Sequence, residues 1–252
     1  MASMKDAFDE CTNEPGVIWK YVWFSLPVFG AVYLYMEEIM GFWFWVCAIL
    51  GLINIIGTMT RVANNCMNFR ETTMPTYNPF TMLFDFIRTS IALLPAIALN
   101  GGITWYLTTS IYPQYIAVEP VAKGVTYVTY GLCAAILLTV FMLFAKRFRF
   151  SDPFDIQAIS NSCIDVLIHT IWMLVQLVFV NAFTIGLVTY LFYVFIGMGN
   201  FLMWFVWAMG AIFNAALIGN YLGQLNHEAL HQCEDKELEK QLRKELNDAR
   251  KE

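Results

Sequence analysis

Long apolar runs broken by short polar ones give this chain its pattern. Six runs, at 17–36, 39–60, 89–112, 125–145, 166–196 and 198–222, hold few or no charges. Each approaches or exceeds the ~20 apolar residues a helix needs to cross a hydrocarbon core about 30 Å thick. The pattern therefore predicts an all-α polytopic bundle of six transmembrane helices. The fifth run is long enough to require tilt or extension beyond the membrane.

The polar segments predict the connections. Residues 69–79 carry Pro75 and Pro79 among polar side chains and cannot continue a helix, and 80–88 reads as an interfacial turn leading into the third span. In the next long connection, Asp152 is suited to an N-cap, Pro153 to the first helical position and Asp155 to the first turn. Phe154, Ala158, Ile159, Cys163, Val166 and Leu167 then share one helical face, which predicts an amphipathic interfacial helix. The first run follows an acidic segment without a small-residue cleavage site, so it reads as a retained helix. Asp6-Ala7-Phe8-Asp9 and Asp152-Pro153-Phe154-Asp155 share the form D-x-F-D, and the hairpins after them end in Ile55-Ile56-Gly57 and Leu217-Ile218-Gly219. These matches suggest a two-part internal repeat over 5–61 and 151–223 within a transmembrane domain at 1–226, with 227–252 as a charged C-terminal helix.

Composition fits this picture and adds an orientation. Apolar residues make up 58% of the 252 positions and charged ones 14%, far more apolar side chain than a water-soluble core could hide. The net charge of −5 carries no nucleic-acid signal, and no nucleic-acid partner is expected. The six spans place fourteen Lys and Arg residues on one side and only Lys123 on the other. By the positive-inside rule the basic side is cytoplasmic, which predicts a plasma (inner) membrane protein with both termini inside. Trp19 and Trp23 fall near the inner boundary, and Trp43, Trp45, Trp105 and Trp204 near the outer one.

The order of features resembles an uncharacterised family of prokaryotic multi-pass membrane proteins known only as a domain of unknown function. The likeness rests on the acidic-aromatic start, Ile56-Gly57 followed by Arg61, Met74-Pro75, the 150–155 helix start, and Ile218-Gly219-Asn220-Tyr221-Leu222-Gly223-Gln224 at the last exit. It covers roughly residues 5–230 and implies a helical membrane fold. It implies no activity and no catalytic residues.

Candidate chemistry is sparse. His227-Glu228-Ala229-Leu230-His231 has the H-E-x-x-H order of zinc peptidases, in which His227 and His231 would hold metal and Glu228 would act as base. No third ligand is recognisable, so the bland reading is a polar helix face. Asp165 with His169 and Asp85 with Arg88 are spaced to pair on one helix face near the inner boundary, where anchoring is the expected role. Asn54, Asn100, Gln176, Asn181 and Asn214 lie deeper and can either pair helices or line a polar path. In the third span, Pro95 and Asn100-Gly101-Gly102 suggest a break of the kind transporters use. Six scattered cysteines predict reduced thiols, with Cys47 and Cys133 at similar depth. No cofactor is expected.

The tail carries Leu238, Leu242 and Leu246 as a narrow stripe among charges and is the expected partner contact. The leading expectation is a membrane scaffold or accessory subunit that presents cytoplasmic helices. Its expected partners are the lipid bilayer and either another protein or a second copy. The alternatives are a small-solute transporter or channel using the third helix, and a membrane metalloprotease.

Overall fold

The computed structural model describes residues 2–70, 72–116, 119–197 and 199–249, with side chains up to residue 229 apart from that of 113. Among these residues there is no strand. A short helix α1 (Met4–Thr12) precedes α2 (Val17–Met36) and α3 (Phe42–Met67). Helix α4 (Pro79–Tyr106) runs on through a π turn (Leu107–Ile111) into Tyr112–Tyr115. Helix α5 (Glu119–Arg147) and a 3-10 turn (Asp152–Phe154) lead to α6 (Ile156–Asn181). A second π turn (Ala182–Gly186) carries α6 into Leu187–Ile196, and α7 (Phe201–Ala249) closes the chain. Six of these helices are long and apolar enough to cross a membrane, so the chain is a polytopic helical bundle.

Helices α3 and α7 form the centre, and small residues let them touch. A Cβ at Gly219 would run into the Met59 carbonyl oxygen, and one at Gly223 would lie 2.6 Å from Cys66 Cβ. This close backbone approach is how membrane helices gain packing where lipid offers no hydrophobic drive. Helix α2 covers one side of the pair through edge-to-face contacts of Tyr21 with Phe213 and Phe29 with Phe205. On the other side α4 meets α3 where Gly57 packs on Met82, and α5 and α6 complete the row.

The helix ends show why the boundaries fall where they do. Asn78 accepts hydrogen bonds from the Phe80 and Thr81 amides with Pro79 in the first position, so α4 starts ten residues before its apolar run. The residues expected to form a separate turn at 80–88 are therefore the first part of α4. Asp155, not Asp152, caps α6 by accepting from the Ala158 amide; Asp152 opens the 3-10 turn instead. The expected interfacial helix is thus the first part of α6, with Ser162 and Val166 buried and Phe154 exposed. At the other end of the bundle Asn200 caps α7 through the Met203 amide. Phe69 and Phe148 end α3 and α5 with positive φ of 49° and 52°. That conformation costs a non-glycine residue roughly 1–2 kcal/mol.

The expected break in α4 is absent. The helix stays α through Pro95 and Asn100-Gly101-Gly102, and its irregularity is the π turn five residues beyond. In hydrocarbon no water replaces a released backbone hydrogen bond, so glycine loosens a helix less than it does in water.

Candidate functional site

Polar chemistry concentrates at the basal end of the bundle, which carries α1, the 68–78 loop, the α5–α6 connection and residues 220–229 of α7. Three groups of side chains build it. In the first, Glu14 Oε2 accepts from Lys20 Nζ at 2.7 Å and its Oε1 from the Met74 amide at 2.9 Å, while Lys20 also donates to the Met74 carbonyl. This clasp fixes the proline-containing loop to the α1–α2 turn. Gly16, with φ of 73°, supplies the left-handed turn between those helices.

The second group joins α1 and the residue before it to α7. Asn220 Nδ2 donates to Glu10 Oε2 at 2.7 Å, Gln224 donates to Asn220 Oδ1, and the Ser3 amide donates to Gln224 Oε1. Tyr21 donates to the Cys11 carbonyl. Burial, with Glu10 nearby, pushes the Cys11 thiol up to about 12, so it stays a neutral, inert thiol.

The third group surrounds the end of α5. Arg61 Nε and Nη2 donate to both oxygens of Asp85, at 2.7 and 2.9 Å, and the Phe148 ring lies 5.5 Å from the guanidinium. Asn64 and Asn68 donate to the Lys146 carbonyl, Asn64 also to that of Ala145, and Asn226 to that of Met142. The last carbonyls of a helix lack intrahelical partners, and Asn64 and Asn68 supply them for Ala145 and Lys146, while the Met142 carbonyl takes Asn226 in addition to its place within the helix. Thus the strained Phe148 places its ring over the ion pair, and Phe69 stacks on His227 at 4.4 Å.

Several expectations change in detail. Asp85 takes Arg61 from the neighbouring helix as its bidentate partner instead of Arg88 on its own, and at 1% exposure it is buried, not an interfacial anchor. Cys47 packs against Gly30 while Cys133 lies 3.0 Å from Thr104 Oγ1, so these thiols occupy different interfaces. His169 lends its backbone carbonyl to Tyr221, and Asp165 is exposed.

The mid-span amides are distributed. Asn181 and Asn214 meet in a reciprocal pair at 2.9 Å between α6 and α7. Asn54 donates to the Phe24 carbonyl between α3 and α2. Gln176 lines a cleft beside Phe8, and Asn100 lines a cavity between α4 and α5. His227 faces Phe69, whereas Glu228 accepts from the Ala2 amide, so neighbouring residues of the H-E-x-x-H string serve different contacts. Among the described residues no group of three His, Cys, Asp or Glu is placed to hold a metal. The side chains of His231, Leu238, Leu242 and Leu246 lie outside the described residues.

Sequence reasoning missed Arg61 with Asp85 and the asparagine collar, although the Asn64-Asn65 and Asn68 cluster was a visible signal. Comparison with protein families, with curated proteins and with solved structures finds no match.

Proposed function

We propose that this chain is a membrane scaffold or accessory subunit of a larger assembly, seated in the plasma (inner) membrane with both termini in the cytoplasm. The observation that carries the reading is α7. It is the helix against which α1, α2, α3, α5 and α6 all pack, and it continues without interruption to Ala249. After Gly223 its sequence contains no glycine or proline, so the charged segment is a stiff extension of the bundle's central helix. About 20 residues beyond Ala229 at 1.5 Å each reach ~30 Å from the membrane-spanning part. A partner bound there is coupled mechanically to the packed centre.

The basal polar groups also fit this role. Their bonds tie α1 to α7, the 68–78 loop to α2, and the end of α5 to α3 and α7, and so brace the base from which the helix projects. The fourteen-to-one division of basic residues supports the cytoplasmic orientation.

Chain taken from its own membrane in native nanodiscs should have a mass above that of a monomer. Truncation after Cys233 should reduce it to a monomer with unchanged helical content. An unchanged mass after truncation overturns the assignment to the tail. Orientation is tested by single cysteines in intact cells: those at Glu38, Glu119 and Gly197 react with an impermeant reagent, and labelling at Ser151 before permeabilisation reverses the topology.

A further inference from the structure

Helices α4 and α5 part on the side away from the basal end and leave a groove. Its deep half, about 420 Å³, is bordered by Asn100, Gly101, Trp105, Tyr130, Cys133 and Leu137. Its outer half, about 460 Å³, shares Thr108 and Tyr130 with the first, so the two are continuous. Both are grooves open along one side, so a ligand seated there would touch protein on one face and lipid on the other.

Asn100 marks the deep half as a binding site. It is 8% exposed, it borders the cavity, and its carboxamide has no hydrogen-bond partner among the described residues. Of the other mid-span amides, Asn54, Asn181 and Asn214 are bonded, while Gln176, whose Oε1 has no partner among the described residues, borders a separate cleft beside Phe8 that carries no aromatic groove of this length. An amide in hydrocarbon needs a partner, and here the open side of the cavity is where one can come from.

The surroundings define that partner. Asn100 lies twelve residues from both Arg88 and Tyr112, about 18 Å along the helix each way, which places it near the bilayer midplane. No charged side chain borders the deep half, and the Glu119–Lys123 pair at the mouth neutralises itself at 2.7 Å. The ligand is therefore uncharged and membrane-soluble. Gly101 has no heavy atom within 4 Å of a Cβ built on it, so the helix wall is bare beside Asn100. Trp105 and Tyr130 are at least half exposed and offer flat aromatic faces along the same groove. The π turn at Leu107–Ile111 lies between the two halves, and such turns recur at functional sites.

We infer that the α4–α5 groove binds one uncharged lipid with a planar, carbonyl-bearing ring head of the quinone class. The ring lies against Trp105 and Tyr130, and a ring carbonyl accepts from Asn100 Nδ2. The amide oxygen can equally accept from the hydroxyl of the reduced form, so the site takes either redox state without itself reacting. The hydrocarbon tail leaves through the open side into the bilayer.

The test uses the full chain in phosphatidylcholine nanodiscs with decylubiquinone as the probe, read by saturable quenching of tryptophan fluorescence. Wild type should show a saturable component, and Trp105→Phe should remove most of its amplitude. Asn100→Leu should weaken apparent affinity about tenfold, equivalent to ~1.4 kcal/mol. Gly101→Leu, which fills the groove where nothing is within 4 Å, should do the same while preserving thermal stability. It serves as the second variant should Asn100→Leu not fold. Absence of saturable quenching, equal affinity in a folded variant, or equal competition by dioctanoylglycerol overturns the inference.

Discussion

Breaking the Arg61–Asp85 pair should cost unequal amounts depending on which partner is removed. Asp85 is 1% exposed, whereas Arg61 retains 20% exposure. Arg61→Met therefore strands a carboxyl that cannot reach water, and removal of one member of a buried pair costs about 3–5 kcal/mol. Asp85→Asn leaves an amide oxygen for the guanidinium to donate to, and the freed charge can turn toward solvent. That change should cost about 1–2 kcal/mol, the range of a weakened hydrogen bond to a charged group. The double variant Arg61→Met with Asp85→Leu removes both desolvation terms and should lie within ~1 kcal/mol of wild type. Reversible unfolding in mixed micelles, followed by tryptophan fluorescence, gives all four corners of the cycle once Asp85→Leu is measured as the matching single variant. Because Arg61→Met alone loses at least ~3 kcal/mol and the double variant at most ~1, a coupling of at least about 2 kcal/mol is expected, at the upper end of the 0.5–3 kcal/mol range for contacting residues. Equal losses from the two single variants, or a coupling below ~0.5 kcal/mol, would refute the burial argument.

Gly219→Ala and Gly223→Ala should each destabilise by ~1–3 kcal/mol by forcing α3 from α7, whereas Gly101→Ala meets open space and should be tolerated; thermal unfolding in detergent separates them. Cys11 should resist maleimide at pH 8 in the folded chain and react only after denaturation, because its thiol is fully buried and pushed up to about 12. Rapid labelling of Cys11 in the folded chain would show that α1 does not pack as described.

The six spans were legible because bilayer thickness imposes a length that any sequence must meet, and runs such as 17–36 meet it openly. Their ends were less legible. Asn78 and Asp155 decide where α4 and α6 begin, yet Pro75, Phe80 and Asp152 offered competing signals nearby. Partnerships between helices were hidden for a different reason. Arg88 follows Asp85 by three residues and fits a local rule, while Arg61 is 24 residues away on another helix and is reached only through packing. Asn100 drew attention as a point of weakness beside two glycines. Its lack of a partner, by contrast, emerges only when the other asparagines are seen to have one.

The seating of α7 between elements made much earlier has a consequence for biogenesis. The surface of α3 that offers the Met59 carbonyl, Ala63 and Cys66 is made early in synthesis, but its occupant, α7 from Phe201 on, is made only after α4, α5 and α6. Likewise, Glu10 waits 210 residues for Asn220. Nascent chain that has inserted α2 to α6 thus carries an unfilled seam of small and polar residues through the membrane. Such intermediates are where late-assembling proteins become vulnerable to misassembly. A chain stopped before Phe201 should be recognised by membrane quality control and degraded, whereas one stopped after Cys233 has already closed the seam.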